Sequence, residues 1–428
     1  MRIYIEPDRK LWPSLARRVN RDDAMLDWRV TEILKSVKEG GDTALNRLIG
    51  SIEGFVPANL RVSDEEIEAA AGSLTDSLKD AISTAAERIR AFHTPQVPLD
   101  TEWDDGHGVV CKRRFLPIRR VGLYVPGGTA PLFSTVLMLG VTSSVAGCPE
   151  RIICTPPAKD GSVDPAILYA AKICGINEIY KIGGAQAVAA MAYGTETFRK
   201  VDKIFGPGNR YVLKAKQIVC REGVAVDMPA GPSEVMVVAD DSAKVPFVVS
   251  DLLSQAEHGP DSQVTLVCRD LAMAREVQNE IKRRKETLPR KEIVQLALAD
   301  SRIIVYSSLE DCMDFANYYA PEHLILSVED PDAVALKVEA AGSVFLGNYS
   351  PESAGDYASG TNHILPTRGT AVAWSGVGVD TFMHAITYQS LSAEGLSRIG
   401  ETIISMAEAE GLRAHADAVR VRLENENN

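Results

Sequence analysis

No Cys-x-x-Cys pair occurs in this sequence of 428 residues. Its seven cysteines, Cys111, Cys148, Cys154, Cys174, Cys220, Cys268 and Cys312, are odd in number and widely spread, which excludes a zinc-finger spacing and speaks against a disulfide framework. They are expected to be reduced and mostly buried. No window approaches the ~18 consecutive apolar residues of a membrane span, and the opening M-R-I-Y-I-E-P-D-R-K lacks an apolar signal region. The expected location is cytoplasmic, with no membrane partner. No basic run of five or six residues appears either, and the net charge of −12 speaks against nucleic acid as the main partner.

Several catalytic signatures are also lacking. Gly206-Pro207-Gly208 is followed by Asn209, Arg210 and Tyr211, so it does not make G-x-G-x-x-G, and no G-x-x-x-x-G-K-[ST] phosphate loop exists. By motif alone, ordinary turn glycines and a loosely held nucleotide account for these loops about equally well. G-x-S-x-G and H-E-x-x-H are absent and no cysteine adjoins a histidine, which leaves serine and thiol nucleophile schemes little support.

What is present belongs to a folded α/β protein. Apolar residues make up 45% and charged residues 24%, as in soluble globular proteins, and the length calls for two to three domains. Residues 1–20 read as a short arm. Apolar positions then recur at helical spacing over 22–50 and 63–93 (Ile67, Ala70, Leu74, Leu78, Ile82). His93, at the end of the second stretch, reads as a surface or capping histidine.

From residue 121 the pattern changes to strand, glycine turn and helix, repeated: V-G-L-Y-V-P-G-G, R-I-I-C-T-P-P, E-I-Y-K-I-G-G and K-I-F-G-P-G-N each precede a helical segment. A second series has E-V-M-V-V-A-D, Q-V-T-L-V, R-I-I-V-Y, H-L-I-L-S-V and G-S-V-F-L-G as its strands. Such alternation predicts two doubly wound, incomplete Rossmann-like parallel sheets, with ligands at the strands' carboxyl ends. The expected division is 21–120 with 232–379 as the first α/β domain, 121–231 as the second, and 380–428 as a small tail, helical only.

The stretch 246–262, P-F-V-V-S-D-L-L-S-Q-A-E-H-G-P-D-S, predicts a helix from Pro246 to the Gly259-Pro260 stop. Gln255 and His258, three apart, share its face at the C-terminal end. Alone, such a pair is more often a solvated face. Downstream, however, come Glu322-His323 after a proline, Asp356 and His363 in a polar run read as a loop (350–363), and Glu410 with His415 near the end. An inventory of this kind suits a metal or acid–base site. Adjacent in sequence, Glu322 and His323 should diverge toward two atoms of one reaction centre, and an imidazole with pKa near 6.5 suits a general base.

Taken together, L-L-S-Q-A-E-H-G-P-D-S-Q, D-M-P-A-G-P-S-E, Y-A-P-E-H-L and S-A-G-D-Y-A-S-G-T-N-H resemble the histidinol dehydrogenase family, from about Gly40 to Val421. The resemblance implies oxidation of L-histidinol to L-histidine through the aldehyde, with NAD and one zinc per subunit as cofactors. It implies zinc ligands Gln255, His258, Asp356 and His415, and contacts to the rest of the substrate from Ser233, His363 and Glu410. His323 would be the base for the alcohol and Glu322 would activate water. Tyr124, Gln186 and Asn209 match the family's NAD contacts. A homodimer in which His415 and Glu410 act in trans is also implied. Thr142-Ser143 and His384 depart from the family pattern, with no effect expected on the site. The rival readings are a relative acting on another small alcohol and a zinc hydrolase that needs no NAD.

Overall fold

The computed structural model describes residues 1–18, 24–127, 131–228 and 231–425. The expected helix start at Asp22, Gly128 of the first glycine turn, and Pro229-Ala230 of the D-M-P-A motif lie outside the described residues. The chain divides into two compact units, 1–96 with 119–382, and 97–118 with 383–428.

The first unit holds both parallel sheets. In the five-stranded one, the strands Glu178–Lys181, Glu150–Thr155, Arg120–Tyr124, Lys203–Phe205 and Ala225–Val226 lie side by side in that order. The strand that comes first in the chain is central, and the connections wind outward from it in both directions. The six-stranded sheet repeats the same order in Arg302–Val305, Gln263–Cys268, Glu234–Ala239, His323–Ser327 and Ser343–Leu346, with Arg2–Ile5 added parallel to Arg302–Val305 at one edge. The expected short arm therefore supplies a sheet strand. Strands such as Glu234–Ala239 and Gln263–Cys268 are buried at every residue, because helices cover both faces, and this is why they read as unbroken apolar runs.

Packing departs from the expected grouping of 21–120 with 232–379. Leu26, Val30, Leu34, Val37, Leu45 and Ile49 of the Ala24–Glu53 helix share one core with Ile152, Val188, Met191 and Ile204 of the five-stranded sheet and its helices. An amphipathic stripe tells that a face is buried, not which sheet it lies on. Across the first unit, the side-chain amide of Asn362 donates to the Met138 carbonyl at 3.1 Å and to the Thr142 hydroxyl at 3.3 Å, and Phe205 stacks on Phe382 at 3.9 Å.

In the second unit Val109–Pro117 is the middle strand of an antiparallel sheet, between Thr101–Asp104 and Met383–Leu391. Two helices follow, Ala393–Ala409 and Arg413–Asn425, which pair through Ile404, Ala407, Ala416 and Val419. The tail is thus helical only from Ala393. Met383–Leu391 is a strand whose residues are almost all exposed, so no buried apolar face marked it in the sequence. Five of the cysteines are buried, with Cys111 half-buried and Cys220 exposed. His93 is buried, its Nδ1 2.7 Å from the Ile89 carbonyl oxygen of its own helix.

Candidate active site

The site is built on the six-stranded sheet, at the amino ends of two adjacent strands. Glu234 opens one strand and His323 the other, and parallel pairing sets His323 opposite Val235. This register lets the Glu234 backbone hold two side chains. Its N–H donates to Glu322 Oε2 at 2.8 Å, and its carbonyl oxygen lies 3.2 Å from His323 Nδ1. Glu322 and His323 therefore converge on the backbone of one residue, Oε2 to Nδ1 3.6 Å, instead of diverging. Ser233, half-buried, immediately precedes this residue. Behind it, Arg18 clamps the Glu234 carboxylate through Nε and Nη2 at 2.9 and 3.0 Å while lying over the Tyr319 ring.

The candidate residues of this sheet lie at the strands' amino ends, not at the carboxyl ends to which the sequence pattern pointed. The helix Val245–Ala256 leaves the carboxyl end of the Glu234 strand and runs back, so its last turn, with Gln255, arrives at the amino ends. His258 follows in a turn, its N–H 3.2 Å from the Gln255 carbonyl. From the other side comes Glu352–Tyr357, a helix where a loop was expected. Its geometry places Glu352 and Asp356, four apart, on one face. Potential ligand atoms of His258, Glu352 and Asp356 all lie within 4.8 Å of one another. His363 turns its Nδ1 to the Asp356 carbonyl oxygen at 3.0 Å. Asn362, next to it in the chain, donates to the hydroxyl of Thr142, one of the departures from the family pattern.

Burial governs the electrostatics. It raises Glu322 and Glu352 well above the ordinary carboxylate range, with neighbouring acids adding to the effect, and pushes Asp356 up to about 6. His323 falls to about 3 and His363 to about 4 for the same reason. His323 is accordingly neutral at physiological pH, against the ordinary value expected from sequence. With Nδ1 engaged at the Glu234 carbonyl, the hydrogen sits there, and Nε2 is left as a buried acceptor without a partner.

Glu352 is the residue that sequence reasoning missed. Taken as loop, the 350–363 run offered no spacing to link it with Asp356. The signal was present as E-S-A-G-D, two acids at helical spacing.

Tyr124 ends one strand of the other sheet, and Gln186 and Asn209 lie just beyond the carboxyl ends of two more. The Tyr124 hydroxyl accepts the Gly184 N–H at 3.0 Å, and burial pushes its pKa up to about 12. Gln186 is buried with Nε2 unpartnered. Asn209 caps the Arg210–Arg221 helix by accepting from the Tyr211 and Val212 N–H groups. Gly206 between them has φ +119°, and a Cβ there would lie 2.1 Å from the Tyr124 carbonyl oxygen, so only glycine fits. A buried ion pair fixes this turn: Lys216 Nζ donates to the Gly206 carbonyl at 2.8 Å and pairs with Asp227, which accepts the Gly206 N–H at 2.8 Å. Glu410 and His415 are exposed on the second unit, Glu410 as the C-cap of its first helix.

One glycine-turned Rossmann-like half and one half carrying a buried acid, imidazole and amide cluster define an α/β enzyme of two similarly wound sheets. The histidinol dehydrogenase family model matches residues 16–423. Histidinol dehydrogenase of Xylella fastidiosa is 51% identical over 395 residues, 92% of each chain, and that of Bacteroides thetaiotaomicron is 48% identical over 423 residues, 99% of each. The crystal structure of histidinol dehydrogenase from Elizabethkingia anophelis superposes with a TM-score of 0.96 at 48% identity, covering 100% of this chain and 99% of that one. The chain belongs to the histidinol dehydrogenase family and is an oxidoreductase. Among the described residues no helix is long and apolar enough to cross a membrane.

Proposed function

We propose that the protein catalyses the zinc- and NAD-dependent oxidation of L-histidinol to L-histidine in two steps through L-histidinal, the end of histidine biosynthesis, in the cytoplasm. The observation that carries this is the unpartnered Nε2 of a neutral His323, buried beside Glu322 and the His258, Glu352 and Asp356 cluster.

A nitrogen donor with carboxylate oxygens fits zinc, and two acids raised by burial, Glu352 by its acidic neighbours as well, favour a cation. Gln255, His258, Asp356 and His415 would hold it. Zinc would orient the substrate through its nitrogens, and NAD, held by Tyr124, Gln186 and Asn209, would accept the hydride. Nε2 of His323 takes the alcohol proton as hydride leaves the carbon. Glu322, held beside His323 by the Glu234 N–H, takes a proton from the water that adds to the aldehyde. Ser233, His363 and Glu410 position the remaining substrate groups.

The working form is a homodimer with Glu410 and His415 acting in the partner's site. In support, the second unit leaves Trp103, Tyr388, Met406, Leu412 and Val421 exposed, apolar surface that a two-fold contact would bury.

The test is NADH formation from L-histidinol, with simple amino alcohols in parallel. Two NADH per L-histidinol, and none from the others, is expected. Turnover of a simple amino alcohol instead would move the assignment to another substrate, and hydrolysis without NAD would replace it with a zinc hydrolase.

A further inference from the structure

We infer that Glu352 is a positioning residue for the metal site: it fixes which end of the Gln255 amide faces the ion. The inference rests on the zinc reading above and concerns a residue to which that reading gives no role.

Gln255 is fully buried, so its amide must find partners within the protein. Glu352, 1% exposed at the first turn of its helix, sets its carboxylate against that amide. Only one orientation satisfies the contact. With Nε2 toward Glu352, the amide donates to both carboxylate oxygens, one of them at 3.3 Å. Beside a bound cation Glu352 is ionised, and the opposite orientation would then face an amide oxygen with a carboxylate, two acceptors with no proton to share. Fixing Nε2 at Glu352 turns Oε1 toward His258, where the amide atom and Nδ1 are 3.4 Å apart. Two ligands each about 2.1 Å from one tetrahedral ion are separated by about 3.4 Å. The amide oxygen and the imidazole nitrogen are thus spaced as neighbouring ligands, and the residue that aims the oxygen is Glu352. Its other contact, Oε1 to His323 Nδ1 at 3.8 Å, is too long to compete with the amide for that oxygen.

The same carboxylate lies near enough to His258 and Asp356 to be a ligand itself, and the experiment separates the two roles. Zinc affinity is measured on metal-free protein by competition with a chromophoric chelator, for the parent chain, Glu352→Gln, Glu352→Leu, Gln255→Ala, and Gln255→Ala with Glu352→Leu. A glutamine at 352 can still accept from Nε2 of Gln255, so Glu352→Gln should lose no more than a few-fold. Glu352→Leu should weaken binding about 10–100-fold, the usual effect of removing a group that orients a ligand. In the Gln255→Ala background the Leu substitution should have no further effect. An equal loss for the Gln and Leu variants, or a further loss in that background, would make Glu352 a ligand and overturn the proposal. Unchanged affinity in Glu352→Leu overturns it as well, while the zinc reading stands. A parent chain that binds no zinc removes both. Exchanging the pair, Gln255→Glu with Glu352→Gln, supplies a check that does not depend on the Leu variant folding: Gln255→Glu alone should lose zinc and the exchanged pair should recover most of it, whereas no recovery counts against the proposal.

Discussion

The carbonyl oxygen of Glu234 lies 3.2 Å from Nδ1 of His323, while the N–H of the same residue holds Glu322 at 2.8 Å. A single residue at the start of one strand thereby sets the tautomer of an imidazole and the rotamer of a carboxylate at the start of the next. Arg18, bound to the Glu234 side chain at 2.9 and 3.0 Å, holds that residue from behind. Imidazole and carboxylate are consequently fixed by backbone, in a strand that is buried along its length.

Because the two groups serve different protons, Glu322→Gln should impair oxidation of the aldehyde more than oxidation of the alcohol, and His323→Ala should impair both. Loss of a positioned acid or base typically lowers rate about 10²–10⁴-fold. Supplying histidinal directly, and comparing its kcat with that for L-histidinol, checks this. Equal losses in both steps for Glu322→Gln would refute the division of roles.

Metal-free Asp356 should make stability fall as pH rises. Its folded-state pKa is about 6, above an unfolded value of about 3.9, so the folded state binds the proton more tightly. The burial penalty is absent below about pH 4 and complete above about pH 6, reaching roughly 3 kcal/mol at most. In chelated protein, Asp356→Asn should therefore gain stability over the parent chain through this window. Urea midpoints from about pH 4 to 7 measure the difference; a difference that stays flat with pH would contradict it.

Lys216→Met should destabilise the chain by about 3–5 kcal/mol, since Asp227 stays buried without its cation. The Gly206 carbonyl loses its donor as well, so KM for NAD should rise while KM for L-histidinol changes little. Adding Asp227→Asn should restore part of the stability. A lower urea midpoint with unaltered NAD affinity would separate this pair from the cofactor site.

Chelation should abolish oxidation of L-histidinol and leave NAD affinity nearly unchanged, because Gln255, His258 and Asp356 belong to the six-stranded sheet and Tyr124, Gln186 and Asn209 to the other. His258→Ala should lose zinc and activity together. Titrating NAD against metal-free protein tests the first claim, and full turnover after chelation would remove the metal role.

For the dimer, mixing Asp356→Asn with His415→Ala under conditions of subunit exchange should restore about a quarter of parental activity if His415 acts in trans. One of the two sites in each mixed dimer is then free of both defects. Exchange without recovery would place His415 in its own subunit's site.

Much of this was legible in the chain. Strands such as 234–239 and 263–268 show as apolar runs because helices cover both their faces, and the turn at Gly206 shows because no side chain fits beside the Tyr124 carbonyl. Glu322, His323, Gln255, His258 and Asp356 stood out as ionisable or amide groups at element ends. The helix 352–357 did not, since six residues containing Ser and Gly carry too little periodicity to separate a helix from a loop. Reading it as a loop hid Glu352.

The sequence by itself determined most of the elements, their alternation and the chemical types of the site, because each follows from local propensity and from whether a face is buried. Tertiary structure alone decided that 24–53 lies on the five-stranded sheet, that the candidate site forms at the strands' amino ends, and that Glu322 and His323 share the Glu234 backbone. Each of these depends on a partner far away in the chain, and a periodic pattern records that a face is covered without recording what covers it. The lowered His323 and the raised Glu322 belong to the same class, since desolvation exists only once the surrounding chain has closed over them.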